Sequence, residues 1–86
     1  MMKVVVTIYS RPGCHLCEEA KSVILASGCR NLSVEEINID DDPVLLESYQ
    51  HDIPVVFING VKAFKHSVDA REFRRKLERL GKTRGG

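Results

Sequence analysis

The run VVVTIY (Val4–Tyr9) is apolar at almost every position and rich in β-branched residues, and it stops at Ser10-Arg11-Pro12-Gly13. A strand with one face in water alternates polar and apolar residues. A nearly continuous run marks a strand covered on both sides, as in a sheet sandwiched by helices. The strand Lys3–Tyr9 therefore asks for an α/β domain, and 86 residues suit one small domain of marginal stability. The hydrophobic fraction of 43% and charged fraction of 29% are ordinary for a globular chain. A net charge of +1 gives no reason to expect nucleic acid or a membrane surface as the main partner. No apolar run approaches the roughly 20 residues of a membrane span. MMKVVVTIYSRPG reads as a strand and not a signal peptide, so a cytoplasmic location is expected. Three cysteines are too few, and odd in number, for a secreted disulfide scaffold.

After the strand, Cys14 to about Ser27 is helical by content, with Leu16, Cys17, Ala20, Val23, Ile24 and Ser27 on one side and Gly28 as the stop. Ser33–Asp40 carries Val34, Ile37 and Ile39 and reads as a second strand. Asp42 caps and Pro43 opens a short helix to about Gln50, with Val44, Leu45 and Tyr49 as its apolar side. Ile53–Gly60 is a third β-rich run, and Asn59-Gly60 is a hairpin turn signal. Val61–His66 returns, with Val61, Ala63 and Phe64 expected inward. Asp69 and Glu72 form a D-x-x-E capping pattern for a last helix whose apolar stripe is Ala70, Phe73, Leu77 and Leu80. Residues 1–80 form the domain, and Gly81–Gly86 read as a flexible basic tail. The order β-α-β-α-β-β-α, with a parallel β-α-β start and an antiparallel hairpin, predicts a three-layer α/β sandwich around a four-stranded mixed sheet. This is the pattern of the compact thioredoxin fold.

Cys14 and Cys17 stand three apart where the first strand gives way to the first helix. Cysteines at i and i+3 lie on the same helix side, one turn apart, close enough to close a short disulfide. Cys14 falls at the cap, where free backbone N–H groups and the positive dipole end favour a thiolate. Such a position lowers a thiol pKa from about 8.5 to about 3.5–7.5, and even three units correspond to roughly 4 kcal/mol in favour of the charged form. Cys17, one turn further in, is expected to be less exposed. Arg11 adds a cation three residues before Cys14, and His15 adds another when protonated. Rival readings exist. Structural zinc wants four ligands, but one pair is present and His51 and His66 fit no ligand spacing. Two packed cysteines, or an iron–sulfur cluster shared between chains, would use the same residues. A dithiol redox site is favoured because C-x-x-C sits inside a β-α-β pattern. Pro54 is either a strand-start proline or the second residue of a cis Ile53–Pro54 bond that turns the Ile53 backbone toward the cysteines.

YSRPGCHLCEEAK, DIPVVFING and SVDAREFRRKL together resemble the glutaredoxin family, in particular small glutaredoxin-like proteins with a C-x-L-C site, over about residues 3 to 80. The resemblance implies that Cys14 is the nucleophile and Cys17 the resolving cysteine. It makes Arg11 the partner of a glutathione carboxylate, Pro54 the cis-proline, Ile53 the residue whose backbone pairs with the thiol substrate, and Asp69 a helix cap that can bind the γ-glutamyl amine. The family's Gly-Gly after the last strand is replaced by His66-Ser67, and Leu16 replaces an aromatic residue between the cysteines. The implied activity is thiol–disulfide exchange on protein or glutathione mixed disulfides by a monomer. It needs no tightly bound cofactor; glutathione serves as co-substrate, or a flavin-dependent disulfide reductase supplies electrons. The alternative is an iron–sulfur or metal carrier using the same cysteines.

Four further features have plainer readings. Cys29 is a small packer or an idle thiol. Tyr9 is either core or a wall of the substrate groove. Asp40–Asp42 is a capped, solvated turn. Arg71, Arg74, Arg75, Lys76 and Arg79 make a solvated basic face.

Overall fold

Strand β1 (Val4–Ser10) sits centrally, with β2 (Leu32–Asn38) parallel on one side and β3 (Val55–Ile58) antiparallel on the other. The edge strand β4 (Val61–Lys65) completes the order β2-β1-β3-β4. These are elements of a computed structural model that describes residues 4–28 and 31–80. Helix α1 (His15–Leu25) joins β1 to β2. A single 3-10 turn at Ile39–Asp41 and helix α2 (Pro43–Tyr49) lead to β3, and α3 (Ala70–Leu80) follows β4. The mixed sheet with helices on both faces is the predicted α/β sandwich.

The two faces of β1 are unequal. Val4, Val6, Ile8 and Ser10 are buried, while Val5, Thr7 and Tyr9 are half-buried. Register puts Val6 opposite Ile58 and Ile8 opposite Val56, so all four point to one side. There they meet Ile24 of α1 and Phe73 of α3, both with no exposed surface, and form the main core. Full burial of each such side chain contributes about 1.5–3 kcal/mol. The opposite side meets the short α2. Its Tyr49 stacks on Tyr9 at 5.0 Å, and Phe57 meets Tyr9 edge-on at 5.6 Å. Tyr9 is thus part of an aromatic cluster beneath α2.

The hairpin forms as its dipeptide demands: Asn59 has φ 50° and Gly60 φ 83°, both left-handed. The Asn59 side chain also accepts from Val5 N at 2.9 Å and donates to the Leu80 carbonyl at 3.0 Å, tying β1 and α3 to the turn.

Several expected inward residues are not inward. The α1 stripe that reaches the core is Cys17, Ala20 and Ile24, and Leu16, a third of a turn away, is 46% exposed. Val61 opposes Ile58 on an edge strand, with a neighbour on one side only, and stays 48% exposed. Val44, at the start of α2, is 71% exposed, and Ala70, at the start of α3, is exposed too. A register irregularity between Val56 and Phe57 pairs Val56 with Phe64 and Phe57 with Lys62, leaving Ala63 as the extra residue. Both Ala63 and Phe64 therefore pack against the core. In the basic run, Lys76 departs from a solvated role: its Nζ donates to the Ala63 carbonyl at 2.8 Å and lies 4.8 Å above the Phe64 ring. Among the described residues no helix is long and apolar enough to cross a membrane. Cys29 and the tail at 81–86 lie outside the described residues.

Candidate functional site

Four chain segments reach the same end of the sheet. Ser10 pairs with Asn38 at the ends of parallel β1 and β2, Tyr9 pairs with Val55, and Val55 pairs with Lys65. The loop Arg11–Gly13, the 3-10 turn after Asn38, the Ile53–Pro54 dipeptide and the residues after Lys65 are thereby gathered at one edge. Every site residue expected from the sequence lies on or beside these segments.

The cysteine loop is shaped for its position. Gly13 has φ 80°, and a Cβ there would meet nothing within 4 Å, so the backbone conformation alone calls for glycine. Cys14 then takes extended dihedrals and caps α1, its Sγ accepting from Cys17 N at 3.2 Å. Its carbonyl accepts from Glu18 N at 3.2 Å, the first bond of the helix. Cys14 and Cys17 are joined as a disulfide, with Cα atoms 5.2 Å apart. Cys14 is partly exposed while Cys17 is 1% exposed, so one sulfur faces incoming reagents and the other lies beneath it. Once the pair is reduced, the amide and dipole that meet the Cys14 sulfur favour its charged form.

The Ile53–Pro54 bond is cis. Its loop is held at both ends: Asp52 N donates to the Tyr49 carbonyl at 2.8 Å, and His66 N donates to the carbonyls of Pro54 at 2.9 Å and Asp52 at 3.1 Å. Among the described residues no hydrogen bond uses the N–H or C=O of Ile53, which leaves that backbone able to pair with an extended ligand. His66 has φ 74°, the left-handed conformation that favours glycine, at the point where the resembling family carries Gly-Gly. The backbone shape is kept and a side chain is added to it. The imidazole Nε2 lies 3.8 Å from the Asp52 carboxylate.

Arg11 and His15 are both engaged by carboxylates of the chain itself. Arg11 Nε pairs with Asp40 Oδ1 at 2.8 Å, and Asn38 steadies that turn by accepting from Asp40 N at 2.9 Å. His15 Nε2 lies 3.1 Å from Glu19 on the exposed side of α1. Asp69 caps α3: its Oδ2 accepts from Glu72 N at 3.0 Å and its carbonyl from Phe73 N at 2.8 Å. The reciprocal half of the capping box is replaced by an ion pair of Glu72 with Arg75 at 3.1 Å.

Sequence reasoning missed one network. Buried Ser10 donates to Glu36 Oε2 at 3.0 Å, and Lys21 donates to Glu36 Oε1 at 3.0 Å. The Lys21 ammonium, and then the Ser10 hydroxyl, hold the Glu36 carboxyl below the ordinary glutamate range against the opposing effect of burial. Glu36 in turn holds Lys21 above its usual value. The clue was strand parity: Glu36 is level with Ile8, so it faces α1. A cavity of about 260 Å³, lined by Ser10, Arg11, Pro12, Glu18, Glu36 and Asn38, opens next to this network. Among the described residues no group of three or more His, Cys, Asp or Glu could hold a metal ion.

Known proteins resemble this chain in sequence and fold. The chain is 29% identical over 82 residues to the glutaredoxin-like protein YDR286C homolog of Dictyostelium discoideum, covering 87% of this chain and 76% of the relative. The structure of protein XcR50 from X. campestris superposes with a TM-score of 0.75 at 28% identity, over 86% of this chain and 96% of that one. A mutant thioredoxin from Halobacterium salinarum NRC-1 superposes with a TM-score of 0.64 over 96% of this chain and 79% of its own; at 20% identity it shows the shared fold. The sequence pattern of the glutaredoxin-like domain (DUF836) matches residues 5–78, from β1 into the last turns of α3. A match of that extent, on a thioredoxin-type sheet with a cysteine pair at the first helix cap, makes the chain a member of the glutaredoxin-like family.

Proposed function

We propose that this protein is a thiol–disulfide oxidoreductase of glutaredoxin type, acting on disulfides of other proteins or on glutathione mixed disulfides. The observation that carries the reading is the cap of α1, where the partly exposed Cys14 sulfur accepts an amide N–H and Cys17 lies buried behind it. The Cys14 thiolate attacks one sulfur of a substrate disulfide. A Cys14–substrate bond forms, and the other substrate sulfur leaves as a thiolate. The Cys17 thiolate then attacks the Cys14 sulfur, restoring the disulfide seen here and releasing the second substrate thiolate. Two electrons pass to the substrate, and its two thiolates take protons from solvent according to their pKa values. The backbone of Ile53, next to the cis-proline, holds the substrate chain extended across Cys14. No tightly bound cofactor is needed, and the cytoplasm, a reducing compartment, is the fitting location.

Turnover needs glutathione or a flavin-dependent disulfide reductase. A reduction assay run in parallel with each electron source tests the reading. Steady reduction of a disulfide substrate with either source supports it, and no reduction with either, from a protein with Cys14 and Cys17 both reduced, contradicts it. An iron–sulfur carrier would use the same two cysteines. Visible cluster bands in anaerobically purified protein would turn the assignment to that reading, and a colourless protein with two fast-alkylating thiols would not.

A further inference from the structure

Arg11 is the one cation among the residues lining the cavity at the foot of the cysteine loop, and the protein has already engaged it. Its Nε holds Asp40 at 2.8 Å, and Asp40 is itself fixed through its backbone by Asn38. The second cation nearby, Lys21, is taken by Glu36. Glu18 lines the same cavity one turn after Cys14 and, with no ion pair among the described residues, meets the Lys21 charge only at longer range. Glu19 beside it meets only a histidine, and Asp41 adjoins Asp40. Around the cavity at the foot of the cysteine loop, Glu18, Glu36 and Asp40 therefore outnumber the cations Arg11 and Lys21. The whole chain shows the same split. Residues 1–69 hold ten Asp and Glu against six Lys and Arg, while 70–86 hold two against seven. On the other flank, His66 places a side chain where a glycine would leave open backbone, and its imidazole lies 3.8 Å from Asp52.

We infer that Asp40 is a specificity-determining residue. By occupying Arg11, it makes the face around Cys14 select disulfides flanked by neutral or cationic residues over disulfides flanked by carboxylates, glutathione disulfides included. The inference rests on the disulfide-exchange reading and names its substrate class. The chemistry is the two-step exchange already described, in which the reduced Cys14–Cys17 pair gives both electrons. Like charges facing one another slow encounter and opposite charges speed it, and salt weakens both effects.

The test uses the Cys29→Ser protein, and its Asp40→Asn and Glu18→Gln derivatives, reduced with dithiothreitol and freed of it, so that the Cys14–Cys17 dithiol is the only reductant. Two peptides carry the same disulfide loop, one flanked by lysines and one by glutamates, each with a tryptophan reporter, since the protein has none. Glutathione disulfide is the third substrate. The lysine peptide is expected to react about tenfold faster than the glutamate peptide at low ionic strength, with the ratio collapsing towards one at about 0.5 M salt. Asp40→Asn, which frees Arg11, is expected to lower that ratio about threefold or more and to speed reaction with glutathione disulfide. Glu18→Gln is expected to lower the ratio as well. A ratio of one or less in the Cys29→Ser parent, or a ratio indifferent to salt and to Asp40→Asn, overturns the inference while leaving disulfide exchange intact. Failure of all three substrates to react removes the exchange reading itself, and this inference with it.

Discussion

Helices α1 and α3 begin in the same way with different atoms. In α3 the cap is the Asp69 carboxylate, accepting from the amide three residues on at 3.0 Å. In α1 it is the Cys14 sulfur, accepting from the amide three residues on at 3.2 Å. Asp42 does the same service for α2, from Val44 N at 2.9 Å. A cap position rewards an acceptor, and an anion most of all, because unpaired N–H groups and the dipole converge there. Carboxylates spend that field on holding a helix. A sulfur in the same field is drawn towards its thiolate, the form that attacks disulfides. The difference between a structural cap and a reactive one is thus the element at one position, together with a second sulfur one turn behind it.

The largest effect should come from Cys14→Ser. Serine is a good cap, so unfolding free energy should stay within about 1 kcal/mol of the reduced parent, which likewise lacks the Cys14–Cys17 disulfide, while disulfide exchange falls to the uncatalysed rate. Denaturant melts and the reduction assay measure the two separately, and residual exchange near the parent rate would show that Cys14 is not the nucleophile. Next comes the anchor of the other helix. Phe73→Ala should cost about 3–5 kcal/mol in a denaturant melt, a large share of the stability of a domain this small. A loss below about 1 kcal/mol would mean that α3 is not docked through this ring. Asp69→Ala, which removes only the cap of α3, should cost about 1 kcal/mol by the same melt.

The smallest effect concerns pH. The folded Glu36 carboxyl is held below its unfolded value, so its stabilising contribution is present above the unfolded pKa and lost as pH falls through the folded one. Lys21 is held above its usual value, so its contribution is present below the unfolded pKa and lost as pH rises through the folded one. Melting temperature should therefore be flat through the neutral range and fall at both extremes. Lys21→Met should shift the acid fall towards higher pH, because the main cause lowering Glu36 is gone.

Much of this was legible in the residues. The apolar run of β1, the C-x-x-C after a Pro-Gly turn, the Asn-Gly hairpin and the Asp69 cap each state a local preference, and the fold obeys them. What stayed hidden depends on partners far along the chain. Arg11 shows a cation near the nucleophile, but that Asp40 takes it follows only from the pairing of Ser10 with Asn38. The Ser10–Glu36–Lys21 network needs the register of β1 against β2. The half-covered face of β1 was missed because short α2 covers less of the sheet than the apolar run suggested. His66 gave no sign in sequence that it adopts a glycine-like backbone. Its two backbone bonds to the cis-proline loop fix that conformation from outside the local chain.

The central claim is that the cap of α1 holds the Cys14 sulfur as a thiolate. Its most direct test is the pH dependence of Cys14 alkylation in the reduced protein, with Cys17→Ser and Cys29→Ser variants isolating the signal. The account predicts a midpoint within about 3.5–7.5, and a midpoint at about 8.5, the value of an ordinary cysteine, would contradict it.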